Sequence, residues 1–467
     1  MRVVLADIKG TKGFVNKDTI VGGFGARFQG FTRTTRWIEH LRTLYQSVAS
    51  VQVAYLAAIF ARAGHEVVFT DGEMADGDLG LVLTSIVDYR REIEWAERAR
   101  RRHGMRTGFY GAMATHVTGV FDGHSDFTIR GEPESAAMRL AAGEVLTGIV
   151  DSPAIAVLDS LPFPAWPLMV RPRGVHAPRS IIPTRSSFPI LASRSCPEFC
   201  TYCPHRITAS YRARTPENVL AEIEYICRRY GAAHLIFRDP LFTEDRGRSV
   251  AIAEGIRRER FPVQFECETR LDNLDTELLD TLHAAGLHTI SFGVESVQAN
   301  TLRRVGRRPI PSAHQRSIVE YCRQKGIMTH AFYVFGFLDD TADSIRATIE
   351  YAVALDTTFA LFKILTPYPG TPLRKHMEHL MTETDLEKFD GLTPTFTHPN
   401  LTHEQLRFLL GSAYTRFYIR PSWGWNYFGI RHTYSDWLRR IDNFARERQM
   451  RNQTAFLTST GSKARSE

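Results

Sequence analysis

Arg194-Ser195-Cys196-Pro197-Glu198-Phe199-Cys200-Thr201-Tyr202-Cys203-Pro204 holds three of the six cysteines of the chain in a C-x3-C-x2-C spacing. Thiolates placed this closely on one short loop can converge on a single metal centre. A closed structural zinc site takes four ligands, as does an iron–sulfur cluster in which the protein holds every iron. No fourth cysteine lies nearby, and Cys227, Cys267 and Cys322 stand alone without a C-x-x-C partner. Three thiolates suit a [4Fe–4S] cluster with one iron left open for a small molecule. Two plainer readings stay open on the residues alone: a zinc site completed by His205, and buried free thiols.

Around this loop, 467 residues give room for two or three domains with proper cores. A chain with 43% hydrophobic and 23% charged residues has globular composition, which argues against a disordered polymer. No apolar run reaches bilayer length and the N-terminus lacks a secretory pattern, so a cytoplasmic protein without a transmembrane segment is expected. Six cysteines are too few for a disulfide scaffold, and an exposed cluster also calls for a reducing compartment. The net charge of +7 comes from arginines spread along charged helical segments, read as solvated faces. No basic run is interleaved with stacking aromatics, so no nucleic acid partner is expected.

Upstream, the chain alternates strands and helices. Residues 1–7, 65–70, 79–84, 106–110 and 126–130 read as strands, with helices at 51–62, 87–102 and 135–142. This pattern predicts an open parallel sheet with ligands at the strand ends. Gly22-Gly23-Phe24-Gly25 allows tight turns, yet a lone G-x-G is weak and is not a dinucleotide fingerprint. Downstream, strands at 188–193, 233–238, 263–268, 289–294, 329–335 and 359–365 alternate with helices at 216–230, 276–285, 312–325 and 341–355. Six such repeats suit a partial (β/α)6 barrel, whose chemistry gathers at the C-terminal ends of its strands.

The cysteine spacing, with Tyr202 just before the last cysteine, resembles the signature of the radical S-adenosylmethionine (AdoMet) enzymes. Strand-end segments in the expected order strengthen the resemblance. They are Phe237-Arg238-Asp239-Pro240, Glu268-Thr269-Arg270, Gly293-Val294-Glu295-Ser296, Gly336-Phe337-Leu338-Asp339-Asp340-Thr341 and Thr366-Pro367-Tyr368-Pro369-Gly370-Thr371-Pro372-Leu373. Pro240 and Leu338 depart from the usual motifs. Gly131-Glu132-Pro133-Glu134 after a strand, and Leu158-Asp159-Ser160-Leu161-Pro162-Phe163-Pro164-Ala165-Trp166, are similar to the cobalamin-binding subgroup of that family, the class B methyltransferase-like enzymes. The chain is thus expected to be α/β: a Rossmann-like cobalamin-binding domain at 1–150, a linker at 151–187, the barrel at 188–394, and a helical C-terminal region at 395–467 with a disordered tail.

The resemblance implies three cofactors: a [4Fe–4S] cluster on Cys196, Cys200 and Cys203, AdoMet, and cobalamin. AdoMet would meet Tyr202 at its adenine, Glu295 at its ribose or amine, Arg270 at its carboxylate, and Asp239, although salt bridging or helix capping explains the last three equally well. Cobalamin would be lined by Gly22, Gly23, Thr84, Ser85, Gly111, Gly131 and Glu132. Asp122-Gly123-His124 lacks the glycine of the D-x-H-x-x-G motif, so no protein histidine is expected on cobalt. The implied activity is methylation of an unactivated carbon through methylcobalamin and a 5′-deoxyadenosyl radical. A small-molecule or lipid-like substrate would be served by an electron donor such as flavodoxin or ferredoxin. Oxidation or ring closure without methyl transfer is the alternative enzyme reading; a non-catalytic metal-binding protein is the alternative of another class. The helix expected at 398–418 and the aromatics Trp423, Trp425, Tyr427 and Phe428 complete the C-terminal region, where core packing is the simplest role for the aromatics.

Overall fold

The computed structural model describes residues 1–10, 12–17, 23–45, 50–169, 187–231, 233–420 and 422–423. Gly22, Trp425, Tyr427, Phe428 and the tail lie outside them.

The strands, in chain order, are β1 (Arg2–Ala6), β2 (Phe14–Asn16), β3 (Ala26–Phe28), β4 (Glu66–Thr70), β5 (Leu79–Leu83), β6 (Arg106–Tyr110), β7 (Phe127–Gly131) and β8 (Gly148–Ser152). They continue with β9 (Ser187–Ile190), β10 (Ser193–Arg194), β11 (Arg212–Ala213), β12 (Ala233–Phe237), β13 (Val263–Thr269), β14 (Leu287–Glu295), β15 (Met328–Phe335) and β16 (Phe359–Ile364). Two parallel six-stranded sheets dominate, in the orders β4-β1-β5-β6-β7-β8 and β16-β15-β14-β13-β12-β9. The first is a Rossmann-like layer with helices on its faces. The second curls into a partial barrel.

Local chemistry explains most element ends. Thr215 caps helix Pro216–Tyr230 by accepting from the Asn218 amide at 3.2 Å, with Pro216 in the first turn, where its missing N–H costs nothing. Thr402 and Gln405 form a reciprocal capping box at the start of helix His403–Tyr418. Along β15, Ala331, Tyr333 and Phe335 are buried towards the helices, whereas His330, Phe332 and Val334 are half-buried towards the lumen. β13 and β16 alternate in the same way, which places Glu266, Glu268, Leu361 and Lys363 on the lumen side. The lumen of this barrel is therefore polar rather than a packed apolar core.

Three features of the N-terminal third differ from expectation. β8 adds a sixth strand, so the first sheet closes at Ser152. Residues 14–28 contain a small antiparallel hairpin, β2 with β3. Helix Arg33–Tyr45 then crosses to the C-terminal helix, where Thr34 Oγ1 lies 3.2 Å from Thr415 Oγ1. A Cβ on Gly411 would stand 3.0 Å from Thr32 Cγ2, so a larger residue there would push on this contact. No described helix is long and apolar enough to cross a membrane.

Candidate cofactor cleft between the two sheets

The cysteine loop leaves β10 through Ser195, which takes φ 65°, a left-handed conformation that turns Cys196 back across the barrel mouth. Ser195 Oγ donates to the His205 carbonyl at 3.1 Å, tying the start of the loop to its end. Two neighbouring loops hold the middle: the Thr201 amide donates to the Val305 carbonyl at 2.9 Å, and the Leu373 amide to the Thr201 carbonyl at 3.1 Å. All three thiols are free and half-buried. Burial pushes the Cys196 thiol up to about 11 and that of Cys203 up to about 12, so the thiolate form needs a cation among them. A ligated metal supplies that charge. His205, the residue offered for a zinc site, gives its carbonyl to Ser195 and begins a short helix, His205–Thr208.

Arg307 is the functional residue that the sequence hid. Its guanidinium reaches the Cys200 sulfur at 3.9 Å, the Gly293 carbonyl at 2.6 Å and the Glu295 carboxylate at 3.5 Å. Gly306 makes this possible: at φ 73°, a Cβ there would collide with the Phe199 carbonyl of the cysteine loop. Gly293 is required too, because its Cβ would strike the Glu295 carboxylate. A β-bulge between Gly293 and Glu295, with φ 64° at Glu295, aims that carboxylate at Arg307. Tyr202 sits beside Glu295 and meets Phe337 edge-on, with ring centres 5.8 Å apart.

The other residues expected at AdoMet are placed differently. Asp239 is fully buried and accepts from the Ala192 amide at 3.0 Å and from Ser193 Oγ at 2.5 Å. Both of its oxygens are engaged by the segment entering the cysteine loop, so it positions that segment rather than facing a ligand. Arg270 forks onto Asp272 through two bonds of 2.9 Å and donates to the Arg308 carbonyl at 3.0 Å. Its remaining Nη1 is buried without a hydrogen-bond partner, as is Glu268 Oε2. These are an unused donor and an unused acceptor at the end of β13, so a group such as AdoMet with amine and carboxylate arms fits here.

Across the cleft stand the strand ends of the first sheet. Gly23 (φ 81°), Gly111 (φ 114°) and Gly131 (φ 103°) all hold left-handed backbone, and a Cβ on Gly131 would lie 2.5 Å from the Ser152 carbonyl. Two of the side chains expected to line this wall turn inward instead. Thr84 Oγ1 donates to the Tyr110 carbonyl at 2.8 Å, and Ser85 Oγ to Glu92 at 2.7 Å, both fully buried. Glu132 engages Arg194 at 2.7 Å and also Arg212, so its carboxylate ties the domains together and is not free for cobalamin. Glu134 joins the same cluster, 2.7 Å from Arg194, whose guanidinium lies over Tyr55. His124 pairs with Glu97 at 2.7 Å on the surface. His116, unremarked in the sequence, lies at the seam. It stacks on Phe24 with centres 5.6 Å apart, and its buried Nε2 has no partner. Phe24 in turn stacks on Tyr368 of the barrel at 5.3 Å.

One cleft of about 620 Å³ joins the two halves. Gly131, Glu132 and Ser152 form one wall, Cys196 and Pro197 the other, and Arg206–Tyr211 the base. A group held at the strand ends of the first sheet would thus face the cysteine loop directly.

A partial parallel barrel with a three-cysteine loop at its mouth thus stands beside a Rossmann-like sheet. Residues 190–352 match the Radical SAM superfamily. An uncharacterized methyltransferase of Pyrococcus horikoshii is 28% identical over 58% of this chain and 58% of its own. The anaerobic magnesium-protoporphyrin IX monomethyl ester cyclase of Cereibacter sphaeroides is 26% identical over 62% of this chain and 48% of its own. The chain spans about half the length of the curated relatives it matches. The methyltransferase TsrM of Kitasatospora setae, solved with cobalamin and a [4Fe–4S] cluster, shares the fold. Its TM-score is 0.58 at 16% identity, over 81% of this chain and 77% of that one.

Proposed function

We propose that this chain is a cobalamin-dependent radical AdoMet enzyme that methylates an unactivated carbon of a small-molecule or lipid-like substrate. The observation that carries the reading is a cleft in which Gly131-Glu132 of the first sheet faces Cys196 of the barrel. When bound, the cluster with AdoMet supplies a carbon radical that abstracts hydrogen, and cobalamin supplies the methyl group.

The chain's own residues bind, orient and shield. Cys196, Cys200 and Cys203 would hold three irons of the cluster, while Arg307 places positive charge against the Cys200 sulfur. Arg270 Nη1 and Glu268 Oε2 offer one donor and one acceptor to AdoMet, and Tyr202 and Glu295 flank them. Gly23, Gly111 and Gly131 let the backbone at the first sheet's strand ends approach cobalamin closely, and Arg194 fixes that wall against the cysteine loop. Half-buried Phe332, Leu361, His330 and Lys363 along the lumen suit a substrate with an apolar body and a polar end. The protein would work in the reducing cytoplasm, taking electrons from a flavodoxin or ferredoxin.

The test is anaerobic purification with hydroxocobalamin, cluster reconstitution, and incubation with methyl-deuterated AdoMet, a flavodoxin system and cell extract. S-adenosylhomocysteine formed alongside 5′-deoxyadenosine, with deuterium in an extract metabolite, supports methyl transfer. Deoxyadenosine without S-adenosylhomocysteine supports the second reading, oxidation or ring closure, for which the similarity to the cyclase speaks. Protein that retains neither iron nor cobalamin refutes both.

A further inference from the structure

At the end of the barrel away from the cysteine loop, three ligating side chains from three neighbouring strands converge. His234 is the second residue of β12, Glu266 lies midway along β13, and His288 is the second residue of β14. One ligand atom from each lies within 4.8 Å of the other two. His234 and His288 are buried, with exposures of 2% and 7%, and none of the three serves the cysteine loop.

Two further observations mark the group as built. The far ring nitrogen of each histidine is held by a hydroxyl: His234 Nδ1 lies 3.0 Å from Ser187 Oγ, and His288 Nδ1 lies 2.7 Å from Thr289 Oγ1. That arrangement turns the two Nε2 atoms towards each other, where they share a hydrogen bond of 2.5 Å that a metal ion would replace. It is the same outer support that metal-bound histidines use to fix ring orientation. The second observation is a break in register. Phe265 pairs with Leu287 and Glu266 with Thr289, so His288 is the extra residue of a β-bulge. Bulges re-aim side chains, and this one presents His288 to His234 and Glu266. Barrel interiors are ordinarily filled with branched apolar residues, so two imidazoles and a carboxylate gathered on neighbouring strands are a departure from that pattern.

We propose that His234, Glu266 and His288 form a site for one divalent transition-metal ion of the zinc type, separate from the cysteine centre. Two imidazole nitrogens and one carboxylate oxygen make a three-ligand set, with the fourth tetrahedral position left for water or an oxygen donor of the substrate in the lumen. Metal–nitrogen distances of about 2.0–2.1 Å at tetrahedral angles place the two nitrogens roughly 3.3 Å apart, so the rings would open slightly on binding. Zinc has no redox chemistry and would not compete for the electron delivered to the mouth of the barrel. Imidazole and carboxylate donors also bind it more tightly than ferrous iron.

The experiment measures zinc and iron in the full-length protein after anaerobic purification, reconstitution and passage over a chelating resin. Wild type is expected to keep about one zinc per chain. The Cys196→Ser, Cys200→Ser, Cys203→Ser triple variant should keep that zinc while losing iron. His288→Gln and Glu266→Gln should lose the zinc and keep the iron. Cobalt(II) added to the zinc-free triple variant, which lacks the brown colour of a cluster, should give tetrahedral ligand-field bands that Glu266→Gln abolishes. This titration decides the matter even if a histidine variant misfolds. Absence of zinc and of cobalt bands would overturn the proposal, as would zinc that persists in Glu266→Gln or leaves with the cysteines.

Discussion

Replacing Asp239 separates a positioning role from a ligand role. Its carboxylate accepts from the Ala192 amide and from the Ser193 hydroxyl, and all three residues are completely buried. Asp239→Ala leaves two buried donors without acceptors, at about 1–3 kcal/mol each. Burial already opposes the charged carboxylate and raises its pKa, so removing it returns part of that cost. The net loss expected is about 2–4 kcal/mol, concentrated three to four residues ahead of Cys196. Asp239→Asn retains a carbonyl oxygen for the Ala192 amide, and the Ser193 hydroxyl can turn to accept from the new NH2. Its expected cost is about 1 kcal/mol. Thermal melts of the apoprotein, iron per chain after reconstitution, and AdoMet affinity by equilibrium dialysis form the assay. The alanine variant should melt early and reconstitute poorly. The asparagine variant should hold its iron and bind AdoMet within about twofold of wild type. If it keeps the iron but loses tenfold or more in AdoMet affinity, the carboxylate touches the ligand and the argument fails.

Arg307→Met removes a cation from the Cys200 sulfur, so the cluster potential should fall by an amount on the order of tens of millivolts, read by redox titration monitored with electron paramagnetic resonance. Unchanged potential would mean that Arg307 serves only Glu295 and Gly293. Arg194→Met leaves the carboxylates of Glu132 and Glu134 without their shared cation; breaking a buried pair costs about 3–5 kcal/mol. Limited proteolysis should then cut between the two sheets under conditions that leave wild type intact, and equal resistance would count against the tie. Lys363 is lowered to about 8 by burial, against 10.5 when exposed. The folded state therefore binds fewer protons than the unfolded one between these values, and stability should rise with pH from about 8 to about 10.5, by up to roughly 3 kcal/mol. Lys363→Met should flatten that slope in urea melts taken across the range; a slope that survives must come from another group.

Most of the barrel was readable because its strands obey period two on the helix-facing side. Val, Ile, Phe and Ala recur there between turn residues, and helix Pro216–Tyr230 announces itself with Thr215-Pro216. The cysteine spacing was readable for a related reason: its chemistry depends on local sequence separation. Helix Arg33–Tyr45 escaped notice because its first turn, Arg-Thr-Thr-Arg, is polar, although Trp37, Ile38, Leu41 and Leu44 recur at helical spacing; its packing against the C-terminal helix is tertiary. Arg307 was hidden in the run Arg303-Arg304-Val305-Gly306-Arg307-Arg308, where composition cannot say which arginine turns inward. Only the glycine turn onto the Phe199 carbonyl decides that.

The misplaced site residues share one cause. Strand-end motifs fix where a residue stands along the chain, but not which way its polar atoms point once both sheets are assembled. Thr84, Ser85, Glu132 and Asp239 all stand at strand ends or just beyond them, and each closes a bond inside the protein. The glycines behave differently, because a left-handed φ belongs to the backbone itself and does not depend on the partner across the cleft. Gly131 and Glu132 are adjacent and came from the same motif, yet the glycine's positive φ is set by the backbone whereas the carboxylate's direction is set by its ion pairs. The carboxylate beside it reaches Arg194, the residue that opens the cysteine loop, so what looked like a cofactor contact is the link that sets the distance between the two walls of the cleft.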